Sequence, residues 1–168
     1  QGWFGHERTF AFDETYEPAS GIRRFAAGTP HILSLAPVAA GVDILLEAGM
    51  DRLRKKSVEQ TEYLIDLFHE HLAPLGFILG SPESPDQRGS HVTIRHRDGY
   101  RINQAMIRPK AEGAPVVIPD FRPPDNIRLG IAPLYISFED ICRAVLRIRD
   151  IVQTKEYEQF SPEISGVT

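Results

Sequence analysis

Three short stretches of the chain carry residues whose type and spacing could do chemistry. In "NIRLGIAPLYISFED" (126–140), Ile127, Leu129 and Ile131 alternate like the buried face of a strand, and Arg128 stands between them on the opposite face. Its neighbours on that face, Gly130 and Ala132, are nearly free of side chain. A guanidinium with room around it can grip a planar carboxylate through two parallel hydrogen bonds. The same residues also suit an exposed strand face carrying one salt bridge. In "GWFGH" (2–6), two aromatics lie between glycines. Trp3 brings a flat ring and one N–H donor, which suits stacking on a planar ligand or donating to a phosphate, and equally suits an interface anchor. In "AAGTPHI" (26–32), Gly28 and Thr29 follow an expected strand and precede an expected helix. Free backbone N–H groups and a hydroxyl at such a junction can hold a phosphate, while a plain turn with a threonine cap fits the same letters.

Other candidates are weaker. There is no G-x-G-x-x-G, P-loop, H-E-x-x-H, G-x-S-x-G or CxxC pattern. His69 and His71 lie two apart on an expected helix, so they point about 200° apart and cannot share a metal. No metal site is expected. His6 and His31 fall in turn-rich segments and read as structural, while His91 and His96 read as surface or edge residues of one strand. Cys142 lies on the apolar stripe of a helix, as an inert thiol does.

The elements that must position these residues follow from periodicity. Residues 1–32 are rich in turn signals, with a short strand expected over 22–27. The apolar spacing predicts a helix from 33 to 49, ended by Gly49, and a second helix from 50 to 75. After "LAPLG" the rhythm shortens: strands are expected at 77–79, "SHVTIRH", "APVVIPDF" and "NIRLGIA", with a helix over "GYRINQAMIR" that Pro109 ends. Ser137 can cap the last helix with Asp140 three residues on, and its core stripe is Phe138, Ile141, Cys142, Val145, Ile148 and Val152. The fold class is therefore α/β or α+β.

Composition narrows the partners. The chain has 168 residues, 42% hydrophobic and 25% charged, with a net charge of −4 and one cysteine. Such a balance gives no electrostatic reason to expect nucleic acid. No apolar run approaches the roughly 18 residues of a membrane helix, and a lone cysteine suits a reducing, cytoplasmic setting. The chain opens at Gln1 without an initiator methionine, so a piece of a longer protein is expected.

Taken together, "GWFGH", "GIRRFAAGTPHILSLAPVAAG", "LRKKSVEQTEYLI", "RGSHVTI" and "VIPDFRPPDNIRLGIAPLYISFED" resemble, in order and spacing, the C-terminal part of kynureninase. That family belongs to the class V aminotransferase, fold type I group of pyridoxal 5'-phosphate enzymes. The resemblance spans almost the whole chain. It implies a small domain with a short, mostly antiparallel sheet covered by helices, together with the last strand and helix of a large cofactor-binding domain. Residues 1–49 would be the tail of that large domain and 50–168 the small domain, entered by a long bridging helix.

The implied reaction is hydrolysis of L-kynurenine, or its 3-hydroxy form, to the matching anthranilate and L-alanine in tryptophan catabolism and NAD biosynthesis. The resemblance implies that Trp3 and Thr29 contact the cofactor, that Phe4 lies near the substrate's aromatic ring, and that Arg128 binds the substrate's α-carboxylate. It also implies a homodimer with an active site shared between subunits. The lysine that carries the cofactor belongs to the preceding domain, and Lys55, Lys56, Lys110 and Lys155 do not fit its place, so no catalytic residue is expected within this chain and it should be inactive alone. The stretch 108–118 is longer than is usual in the family. Two other readings compete: another class V enzyme, of β-lyase or desulfurase type, and a non-catalytic stand-alone domain. An exposed apolar face over 22–42 would favour a fragment over an independent module.

Overall fold

A computed structural model describes residues 2–110 and 112–164, and it divides the chain into two compact units, Gln1–Glu47 and Ala48–Thr168. The first unit is built from turns and one helix. A 3₁₀ turn at Trp3–Gly5 leads into an isolated antiparallel bridge between His6 and Pro18. Residues 22–27 do not form the expected strand. Gly21, at φ 59°, opens a 3₁₀ turn over Gly21–Phe25, closed by Ala26 N–H donating to Arg23 C=O at 3.0 Å. No strand is present among the described residues of this unit to supply a ladder, so the backbone satisfies itself locally. Helix α1 (Ile32–Ala48) follows, ending at Gly49, whose φ of 82° strains any residue with a Cβ.

The second unit holds the core. Helix α2 (Met50–Leu67) runs on through a π turn, Phe68–Leu72, and a 3₁₀ turn to Leu75. Four strands, β1 (Ile78–Leu79), β2 (His91–Arg95), β3 (Asp120–Arg122) and β4 (Asn126–Gly130), pair antiparallel in the order β1-β2-β4-β3. Helices α3 (Gly99–Ile107) and α4 (Phe138–Gln153) complete the unit. The structure is thus a small α/β domain with a four-stranded antiparallel sheet.

Alternation decides which sheet face is covered. Val92 and Ile94 of β2 and Ile127 and Leu129 of β4 are buried, against Leu64, Phe68 and Leu72 of the α2 segment, Ile102 and Met106 of α3, and Ile141, Val145, Ile148 and Ile151 of α4. The α4 residues recur at three and four, the period that keeps one stripe facing the sheet. Ile151 completes that stripe in place of Phe138, which is exposed at the helix start. The α4 N-terminus carries a full capping box: Asp140 N–H donates to Ser137 Oγ at 3.1 Å, and Ser137 N–H donates to Asp140 Oδ2 at 2.9 Å.

The stretch "APVVIPDF" yields a strand only at its end. Pro115 and Pro119 lack the N–H a ladder needs, and Val117 N–H donates instead to Met106 C=O at 3.0 Å. His96 is likewise not a surface residue. Strand β2 stops at Arg95, the chain turns, and the His96 ring packs against Phe77 with ring centroids 4.7 Å apart.

Candidate functional site

The open face of the sheet carries the first group. On it stand Arg95 and Thr93 of β2, Asn126 and Arg128 of β4, and Asp120 and Arg122 of β3, all odd or even partners of the buried positions. Register places Thr93 opposite Arg128 on one side and Asp120 opposite it on the other. Arg128 Nη2 donates to Asp120 Oδ2, and Arg122 donates to the same oxygen from Nε at 3.0 Å, with its Nη2 in ion-pair contact at 2.9 Å. The face around Arg128 is therefore less bare than its small neighbours on β4 suggest. Its side chain is still 41% exposed. Nearby, Arg95 forms a two-pronged pair with Asp125 at 3.1 and 3.0 Å.

Electrostatics at this face follow the pairing. Partial desolvation pushes the Asp120 carboxyl up, but the adjacent Arg122 and Arg128 outweigh it and hold it below the usual carboxylate range. Asp120 is thus ionised at neutral pH. Asp120 and Arg122 were invisible as functional residues in the one-dimensional pattern. A signal was present in "DFRPPDNIR", where a turn between two alternating segments brings Asp120 opposite Arg128.

The second group lies in the first unit. Gly2 and Gly5 let residues 2–5 press against 24–27: a Cβ on Gly2 would stand 1.8 Å from Ala27 O, and one on Gly5 2.5 Å from Arg24 O. That contact sets the place of Trp3, which is 49% exposed. Its ring meets Phe4 edge-on, with centroids 4.4 Å apart, and Phe10 at 5.9 Å. Phe10 joins the cluster through an irregular loop, which no periodicity foretells. A Cβ on Gly28 would find only Trp3 Nε1, at 4.0 Å. The exposed Thr29 follows directly, and the first turn of α1 begins at Ile32, with Ser34 and Leu35 N–H both donating to His31 C=O at 3.0 Å. The structure therefore brings Trp3, Phe4 and the Gly28–Thr29 turn together, while Arg128 belongs to the second unit.

This donor set suits a phosphate-bearing planar cofactor. An indole N–H, a hydroxyl and helix-start amides all donate without charge, Gly28 leaves space where a side chain would stand, and an aromatic cluster borders it.

The histidines are otherwise engaged or solvated. His6 Nδ1 accepts from Arg8 N–H at 2.9 Å, so Nε2 carries the proton and donates to Thr15 C=O at 3.1 Å. Burial lowers the proton affinity of His96, and its Nδ1 accepts from Asp98 N–H at 3.0 Å. His31, His69 and His91 are exposed. Cys142 is half-buried beside Tyr63, whose hydroxyl it pushes above the usual tyrosine range. Among the described residues, no three His, Cys, Asp or Glu side chains converge as metal ligands, and no single helix is long and apolar enough to cross a membrane.

The fold and this face define a class: a small α/β domain whose sheet is helix-covered on one side and presents an arginine on the other. The family described as kynureninase C-terminal domain matches residues 53–148. The kynureninase of Geobacillus thermodenitrificans (strain NG80-2) is 39% identical over 164 residues, covering 96% of this chain and 37% of its own length. Those of Pseudomonas fluorescens and Bacillus anthracis are 39% and 37% identical, covering 94% and 95% of this chain and 36% of their own lengths. The chain belongs to the kynureninase C-terminal domain family, and it spans little more than a third of the length of these relatives.

Proposed function

We propose that the full-length protein hydrolyses L-kynurenine, or its 3-hydroxy form, to the corresponding anthranilate and L-alanine, with pyridoxal 5'-phosphate as cofactor. The observation that carries this reading is Arg128 on the open sheet face, half-exposed, in a chain that aligns with kynureninases over almost its whole length. Trp3 and Thr29 hold the cofactor, Phe4 packs near the substrate's aromatic ring, and Arg128 grips the α-carboxylate. When bound, the cofactor supplies an electron sink for the carbon bearing the substrate's amine. The chain's own part is positioning: a fixed carboxylate and a packed ring set which bond of the substrate is presented for cleavage. The 168-residue chain does not catalyse by itself.

We assign residues 1–49 to the tail of a large cofactor-binding domain and 50–168 to the small domain, in a cytoplasmic homodimer whose active site is shared between subunits. Helix α1 supports the first assignment. None of its residues is buried, and Leu33, Leu35, Val38, Val42 and Leu46 are exposed. A helix apolar all round is one that belongs inside a larger structure, which disfavours an independent module.

The test is anthranilate fluorescence released from L-kynurenine by the full-length protein supplied with pyridoxal phosphate. Release is expected, together with a rise of roughly a hundredfold in KM for Arg128→Gln, the scale of two charge-assisted hydrogen bonds, while cofactor absorbance is retained. Absence of release from a folded, cofactor-loaded protein would move the substrate to another class V type. Loss of cofactor absorbance in the variant would sink the carboxylate role.

A further inference from the structure

We propose that Asp120 is a positioning residue for Arg128, holding its guanidinium in the carboxylate-gripping pose, and that Arg122 keeps the group at one net positive charge. This rests on the reading of Arg128 as the carboxylate binder. Three observations converge on it. First, Asp120 is the direct cross-strand partner of Arg128 on the open face, so the contact is set by backbone register rather than by a chance side-chain excursion. Second, the contact uses one nitrogen of Arg128. Asp120 Oδ2 accepts from Nη2, and among the described residues Nε and Nη1 donate to no other protein group. Because Nη2 carries two protons, one remains to pair with a neighbouring nitrogen, and a bidentate edge stays open for a ligand carboxylate.

Third, the charges match one carboxylate. Asp120 alone would cancel Arg128 and repel an incoming carboxylate. Arg122 donates to the same Oδ2 through Nε and keeps Nη2 in ion-pair contact with it, so two guanidiniums share one anion and a single positive charge is left. A long arginine on an open sheet face otherwise samples many rotamers, and fixing it beforehand removes that ordering cost from substrate binding. Asp120 therefore acts through Arg128 and touches no reacting atom.

The experiment is a double-mutant cycle in the full-length protein, reading KM and kcat for L-kynurenine and, independently of turnover, the calorimetric dissociation constant of L-alanine. Asp120→Asn is expected to raise KM and the L-alanine constant roughly tenfold, with kcat within about twofold, as coupled neighbours do. Arg122→Gln should raise both roughly threefold by leaving the group neutral. In an Arg128→Gln background, adding Asp120→Asn should change neither by more than about twofold. An Asp120→Asn protein that binds as well as wild type or better overturns the proposal, as does an equal effect in both backgrounds or a loss confined to kcat. If Arg128→Gln itself leaves both constants unchanged, the carboxylate role of Arg128 fails, and the positioning role fails with it.

Discussion

The two units of the chain spend their apolar residues in opposite ways. In Ala48–Thr168, helix α4 buries Ile141, Val145, Ile148 and Ile151 against a sheet and two other helices. In Gln1–Glu47, helix α1 is at least as apolar yet buries none of its residues, and Leu33 is 90% exposed. The described residues buried in that first unit are Gly5, His6 and Ala19. The less apolar helix thus lies in a finished core, and the more apolar one presents an unpartnered surface. The difference lies in patterning. Helix α4 has a polar side to show to water, whereas "ILSLAPVAAGVDILLEA" offers almost none.

The largest expected effect tests that contrast directly. In the 168-residue chain, amide hydrogens of α1 should exchange at least roughly a thousandfold faster than those of α4, since local opening costs little where few apolar contacts are lost. In the full-length protein the α1 amides should become protected. Equal protection of both helices in the short chain would erase the distinction between the units.

A second measurement probes what the finished unit can afford to bury. Arg147 donates from Nη1 and Nη2 to both oxygens of Glu156, each at 2.7 Å, and both side chains are buried. Glu156→Gln should cost about 3 kcal/mol in denaturant unfolding, because a buried guanidinium loses its counter-charge. The hydrogen bonds from Arg147 hold the Glu156 carboxyl below the usual glutamate range, against the opposing effect of burial. Wild type should therefore keep this stabilisation above that range and lose it as pH falls through the lowered value. The variant should show a flatter acid limb, and identical acid limbs would mean that the pair contributes nothing.

The smallest effect concerns helix starts. Ser137→Ala removes the capping box of α4 and should cost about 1 kcal/mol. Thr29→Ala, ahead of the exposed α1, should shift global unfolding by less than about 0.5 kcal/mol. Comparable losses at the two sites would imply that the first unit shares the stability of the second.

Local pattern carried much of the fold. The alternation of Val92 with Ile94 and of Ile127 with Leu129, the α4 stripe and the Ser137–Asp140 box depend on neighbours within a few residues, and each forms in the structure. Where the reading failed, a non-local partner or its lack was responsible. Gly21–Phe25 make a 3₁₀ turn because no strand among the described residues of that unit lies beside them, and "APVVIPDF" joins the sheet only from Asp120 on because its prolines cannot donate. His96, expected at the surface or edge, is buried because it keeps the parity of Val92 and Ile94 and finds a non-local partner in the Phe77 ring. Of the candidate site, Trp3, Phe4, Thr29 and Arg128 were legible from residue type and spacing, and Asp120, Arg122 and Phe10 were not.

The sequence by itself determined that Arg128 stands on the face of β4 opposite the core, because a period of two leaves no other place for it once Ile127 and Leu129 are buried. It also determined that this chain belongs to the kynureninase C-terminal domain family, whose model matches residues 53–148. Tertiary structure alone decided what Arg128 meets. The turn across residues 122–126 fixes the register of β3 on β4, that register sets Asp120 against Arg128, and the same pairing brings Arg122 onto the shared oxygen. Register is a relation between strands, and no single strand's letters contain it.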